Sequence, residues 1–188
     1  MSRLSLRCNS RRSRIKQREG GPALPFVFLT SVIIFEKPVE GSSPLGLARF
    51  AREAQKLTGV PGEVDILVAG NRRIQALNLK FRKKDRPTDV LSFPHDLGGD
   101  IAISADVARQ NARRFDHEIA SELKILILHG MLHLAGYDHE RDGGRMQRIE
   151  NKLRAQLKLP GALIQRTRES GRAKAKSTSK PARGRRTR

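Results

Sequence analysis

Hydrophobic residues along the chain switch between two spacings, and each switch marks an element. Residues 32–35 form a β-branched apolar run and predict a buried strand. Gly41-Ser42-Ser43-Pro44 reads as a turn that opens a helix over about residues 45–57, with Leu47, Phe50, Ala54 and Leu57 at helical spacing and Gly59-Val60-Pro61-Gly62 ending it. Residues 63–69 first alternate polar with apolar side chains and then run apolar, as a half-buried strand does. Asn71 offers a cap for a helix through about residue 81, whose inner face is Ile74, Leu77 and Phe81. A polar loop, 82–89, leads to two strand-like runs at 90–93 and 100–103. Ser104 caps a helix to about residue 114, a longer helix spans about 117–135, and a last one spans about 145–157 before Pro160-Gly161 closes the pattern. Short strands interleaved with helices imply a single α+β domain with a small mixed sheet packed against helices.

Charge changes the picture only at the ends. The 188 residues hold 38 Lys+Arg against 19 Asp+Glu, a formal net charge of +19. Residues 1–20 carry +6 and residues 165–188 carry +9, which leaves +4 for everything between them. Residues 1–22 lack apolar periodicity and read as a disordered basic extension, residues 162–188 as a disordered basic tail, and residues 23–161 as the folded domain. Two basic arms beside a nearly balanced domain point to a polyanion, either nucleic acid or an anionic membrane surface. The apolar run at 24–35 is too short to span a bilayer. Its basic leader is too long for a signal peptide, and Glu36-Lys37-Pro38 follows where a cleavage site of small residues would stand. The single cysteine, Cys8, cannot form an intrachain disulfide, which fits the reducing cytoplasm; no membrane partner is expected.

Candidate chemistry is concentrated in one stretch, His129-Gly130-Met131-Leu132-His133-Leu134-Ala135-Gly136-Tyr137-Asp138-His139, which holds three of the five histidines. His129 and His133 are four apart, so on a helix they share one face. Were the helix to continue, His139 would lie about 15 Å along its axis from His129. Gly136 accepts the left-handed conformation that ends a helix, which lets the chain bring His139 back. Three neutral imidazoles make a site suited to Zn²⁺, one ion per chain, and no cysteine stands nearby to close it as a structural zinc site. A position left open favours catalysis.

The spacing H-x-x-x-H-x-x-G-x-x-H resembles that of the metzincin zinc peptidases, which carry a glutamate base directly after the first histidine. Here that position is Gly130, so the residue that activates water for peptide cleavage is missing. The whole stretch more closely resembles the signature of the YbeY family of bacterial metal-dependent endoribonucleases, the 16S rRNA maturation factors. Residues 77–94, LNLKFRKKDRPTDVLSFP, are similar to that family's N-x-x-[YF]-R-x-x-D-x-x-T-D-V-L-S-F-P block. Leu97-Gly98-Gly99-Asp100-Ile101-Ala102-Ile103-Ser104 resembles its L-G-D-I-x-I-S element with one glycine more.

The resemblance implies a metzincin-like three-histidine zinc helix with His129, His133 and His139 as ligands. It also implies that His129 and Arg82 are catalytic, with Arg82 binding substrate in a groove beside the metal. A planar guanidinium suits that role, because it can hold two phosphate oxygens and offset charge that develops in the transition state. Asp85, Thr88 and Asp89 are expected to shape their loop, and His95 and His117 to be ordinary. The stretch after His139, Glu140-Arg141-Asp142-Gly143-Gly144-Arg145, departs from the family's acidic pattern and leaves open how the last helix starts and whether an acidic residue serves the site.

The implied function is zinc-dependent cleavage of single-stranded RNA in 16S rRNA 3′-end maturation and ribosome quality control, with the 30S subunit as partner. The nucleophile is either activated water or a 2′-OH of the substrate. The rival readings are a ribosome-associated assembly factor whose metal is structural, and a zinc hydrolase acting on peptides or small molecules.

Overall fold

The computed structural model describes residues 31–96 and 98–160. The expected basic arms at 1–22 and 162–188, Cys8 and the apolar stretch before residue 31 lie outside the described residues. Within them run β1 (Ser31–Phe35), α1 (Pro44–Thr58), β2 (Glu63–Ala69), α2 (Asn71–Arg82), β3 (Val90–His95), β4 (Gly98–Ser104), α3 (Ala105–Arg114), α4 (Ile119–Leu134) and α5 (Arg145–Gln156). The strands pair in the order β1-β2-β4-β3. The first three are parallel, and β3 runs antiparallel to β4 along one edge, with Phe93 opposite Asp100 and Pro94 opposite Gly99. This is the small mixed sheet of an α+β domain. β3 continues past its expected end through Pro94, which an edge strand tolerates because a proline has no N–H to offer a neighbour.

Side chains alternate across the sheet. Val64, Ile66 and Val68 of β2 face one side, where with Ile101 and Ile103 they join the main core beneath α1 and α4. Leu67 and Ala69 face the other side, where with Leu91 and Ala102 they meet Ile74 and Leu77 of α2. The second face is covered only towards the C-terminal end of β2, since Glu63 and Asp65 are exposed. That half-coverage is why the β2 sequence alternates at first and then turns wholly apolar.

α4 is the centre of the main core. Leu123, Ile125, Leu126, Ile127, Leu128, Met131 and Leu132 are all 0% exposed, so the helix is apolar on every side and surrounded by its neighbours. Each such side chain contributes about 1.5–3 kcal/mol by leaving water. Where α4 crosses β4 the approach is close: a Cβ on Gly130 would stand 2.9 Å from Cγ2 of Ile101. On the same side, Ser92 of β3 donates its hydroxyl to the Gly130 carbonyl at 3.2 Å.

Helix ends follow the expected chemistry with two corrections. Ser43 and Ser104 cap α1 and α3 by accepting from the N–H groups of Gly46 and Val107. Asn71 is not the cap of α2 but its first helical residue. Its N–H donates to Asp106 Oδ2 at 2.8 Å and its side chain accepts from Ser104 Oγ at 2.6 Å. A carboxylate from α3 therefore serves the positive end of α2, a favourable placement for negative charge. The long helix starts two residues later than its apolar pattern suggests, because Asp116 takes a positive φ of 51° and His117 turns its ring onto the buried Glu122 at 2.7 Å. Phe81, expected on the inner face of α2 with Ile74 and Leu77, is instead 44% exposed. Among the described residues no helix is long and apolar enough to cross a membrane.

Candidate metal centre

The three histidines meet because of how α4 ends. Gly136 takes φ +86°. Its N–H donates to the His133 carbonyl and the Tyr137 N–H to the Leu132 carbonyl, each at 3.0 Å, which is the paired bonding of a glycine-terminated helix. A Cβ at Gly136 would meet nothing within 4 Å, so the backbone conformation alone demands the glycine. The chain then turns back, and one nitrogen from each of His129, His133 and His139 lies within 4.8 Å of the others.

The ring orientations fix which nitrogens converge. His133 Nδ1 donates to the Tyr137 carbonyl at 2.9 Å. His129 Nδ1 faces Glu150 Oε2 at 3.4 Å. Both Nε2 atoms are thereby turned inward, and they stand 3.1 Å apart. Two imidazole nitrogens bound to one tetrahedral zinc at about 2.0–2.1 Å would be roughly 3.3–3.4 Å apart, so a few tenths of an ångström separate this geometry from a ligand pair. Among the described residues no fourth His, Cys, Asp or Glu joins the group. The donor set thus fits a divalent ion that takes nitrogen ligands and keeps an open position.

Electrostatics favour the neutral form that a ligand needs. Burial first, and then the neighbouring His129 and His139, bring the His133 pKa down from its ordinary 6.5 to about 4, against the opposing pull of the Tyr137 carbonyl and Asp138. At pH 7 the ring carries no proton that a metal would have to displace.

Glu150 is the residue that sequence reasoning missed. It comes from α5, is fully buried, and accepts from Arg154 Nη1 at 3.2 Å with its second oxygen. A carboxylate behind a metal-binding histidine fixes the ring's tautomer and orientation. The one signal for it was a glutamate sitting between Met146 and Leu153, on the face of α5 that packs inward. The irregular stretch after His139 is also resolved. Asp142 accepts from the N–H groups of Gly144 at 2.9 Å and Met146 at 2.7 Å, and so holds the start of α5.

Arg82 is the last residue of α2, exposed, with no ion pair or hydrogen bond from its side chain among the described residues. The loop after it is shaped as expected: Asp85 accepts from Gln75, Thr88 donates to Asp89, and Asp89 accepts from the Val90 N–H. His117 is engaged with Glu122, and His95 is exposed at the end of β3. α2 and α4 pack on opposite faces of the sheet, yet both end near the same end of the β3–β4 pair. Phe81 of α2 contacts Phe93, ring centroids 4.9 Å apart, while Leu134 of α4 crowds Gly99, the partner of Pro94.

The chain is similar in sequence to known proteins. Residues 46–158 match the family model described as Endoribonuclease YbeY. A protein of Koribacter versatilis named Endoribonuclease YbeY is 48% identical over 77% of this chain and 97% of its own length. One of the same name from Solibacter usitatus is 50% identical over 64% of this chain and 83% of its own. A solution structure of a Thermotoga maritima protein is 26% identical, covering 69% of this chain and 92% of that one, with a TM-score of 0.46.

Proposed function

The chain belongs to the YbeY endoribonuclease family, and on that premise we propose that it is a zinc-dependent endoribonuclease, specific for single strands, acting in 16S rRNA 3′-end maturation and ribosome quality control on the 30S subunit. The observation that carries this reading is the convergence of His129, His133 and His139 on one point, with the outer nitrogens of the first two already engaged by Glu150 and Tyr137. The three histidines would hold the ion. An ion held there would supply Lewis-acid chemistry, the polarisation of a phosphate oxygen and a lower pKa, towards ~7, for water.

The remaining work falls to the chain's own residues. Arg82 binds the scissile phosphate and offsets the charge that grows on it, a role open to a guanidinium with no partner of its own among the described residues. Glu150 keeps the His129 ring in register. Gly130 lies against Ile101 rather than in the site, so the position that bears the base in zinc peptidases bears none here. The proton acceptor therefore differs from theirs, which counts against peptide hydrolysis.

The test is a cleavage panel of single-stranded RNA, duplex RNA and casein with wild type and His129→Ala, folding being checked by melting. Cleavage of the single strand alone, lost in the variant, supports the reading. Casein cleavage would make the chain a peptidase. Ribosome maturation that survives His129→Ala in a folded protein would make it an assembly factor.

A further inference from the structure

The end of α2 sets an exposed aromatic ring among cations. Phe81 is 44% exposed. Its ring leans on Phe93 with the planes tilted by 56°, and the Lys80 ammonium lies 5.0 Å from its centroid. Lys80, Arg82, Lys83, Lys84 and Arg86 supply five positive charges within seven residues. The one acidic residue among them, Asp85, already accepts from Gln75. A partly exposed ring on a cation-rich stretch is how proteins hold unpaired nucleotides: the ring stacks on a base, for which the Lys80 side chain has only to swing aside, and the cations take the flanking phosphates.

The position of this ring relative to the metal centre narrows its role. Phe93 and Ser92 are successive residues of the edge strand β3, so their side chains leave it on opposite faces. Phe93 supports Phe81 on one face, and Ser92 bonds on the other to Gly130, the neighbour of His129. The ring and the histidine-bearing helix thus lie on opposite faces of the same edge strand.

We propose that Phe81 stacks on an unpaired base of the RNA, within a few nucleotides of the phosphate that is cut, and that this contact selects single strands. In a duplex the faces of a base are covered by its neighbours, so only an unpaired base can use the ring. The inference rests on the endoribonuclease reading above and adds to it the residue that recognises the base.

The test is single-turnover cleavage of a labelled single-stranded oligoribonucleotide by zinc-loaded wild type, Phe81→Leu and Phe81→Trp. A second substrate set carries one abasic nucleotide at each position in turn. Phe81→Leu keeps an apolar side chain against Phe93, and its melting temperature reports whether the fold is intact. The half-saturating protein concentration should rise about tenfold or more in Phe81→Leu and stay near wild type in Phe81→Trp, with maximal rates unchanged. One abasic position should weaken binding to wild type by a similar factor and leave Phe81→Leu unaffected. Equal half-saturation in wild type and Phe81→Leu, an abasic penalty shared by both, or a loss confined to maximal rate each overturns the stacking role while sparing the nuclease reading. A wild type that does not cleave RNA overturns both.

Discussion

The imidazole Nδ1 of His129 stands 3.4 Å from Oε2 of Glu150, a carboxylate with no exposed surface whose other oxygen is tied to Arg154. The pair links the histidine-bearing end of α4 to the middle of α5. Removing a carboxylate behind a ligand typically costs about 10–100-fold in metal affinity. Glu150→Gln should therefore lose zinc to a competing chelator at about 10–100-fold lower chelator activity than wild type. Unchanged zinc affinity would make Glu150 a partner of Arg154 only.

Two glycines of the signature should fail differently. At Gly130 a methyl group would meet Ile101 at 2.9 Å, so Gly130→Ala should cost about 1–3 kcal/mol through overpacking. At Gly136 there is space but φ is +86°, so Gly136→Ala should cost about 1–2 kcal/mol through backbone strain alone. Gly136→Ala should also weaken zinc binding, because the turn there carries His139 back. Urea unfolding of the metal-free forms, beside a chelator competition, separates the two effects.

The pKa of His133 gives the metal-free protein a definite acid response. Its folded value, about 4, lies below the ordinary 6.5, so between those limits the unfolded chain binds a proton that the folded chain does not. Stability contributed by this group is fully present above 6.5 and is lost as pH falls towards 4. Thermal melting of metal-free wild type should drop across that window, and His133→Gln should drop less steeply. Identical pH profiles would remove the group from the acid response.

Arg82 allows a test of geometry against charge. Arg82→Lys should fail to restore the cleavage lost in Arg82→Ala, because an ammonium cannot match two phosphate oxygens as the guanidinium plane does. The loss should be about 10²–10³ in single-turnover rate. Zinc content should stay near wild type, since the hydrogen bonds that orient His129 and His133 go to Glu150 and Tyr137 and not to Arg82. Near-normal cleavage by Arg82→Ala would leave it a solvated charge.

What the sequence made legible was local chemistry. The i, i+4 histidines, the glycine directly before Tyr137-Asp138-His139, the serine caps and the two spacings of apolar residues each announce their geometry within a few positions. What it hid depends on residues far apart in the chain. Glu150 reads as one more charge on an amphipathic helix until α5 packs against α4, 21 positions from His129. Asp106 reads as a first-turn acid of α3 until the fold sets it at the start of α2, 35 positions from Asn71. Phe81 fits the inner stripe of α2 by spacing, but only Ile74 and Leu77 are buried against the sheet, since Phe81 meets it at the edge strand, on Phe93, and stays 44% exposed. The Glu122–His117 contact, which sets where α4 begins, is equally invisible to hydrophobic period.

The central claim, that three histidines hold one zinc and that RNA cleavage depends on it, meets its most direct test in a single titration. Protein stripped by chelator is reconstituted stepwise with Zn²⁺, and single-turnover cleavage of a single-stranded RNA is followed against zinc bound per chain. Cleavage should be absent at the start, rise in proportion to bound zinc and level off at about one ion per chain, with His133→Ala neither binding tightly nor cleaving. Full cleavage by stripped protein that elemental analysis finds free of metal would contradict the account.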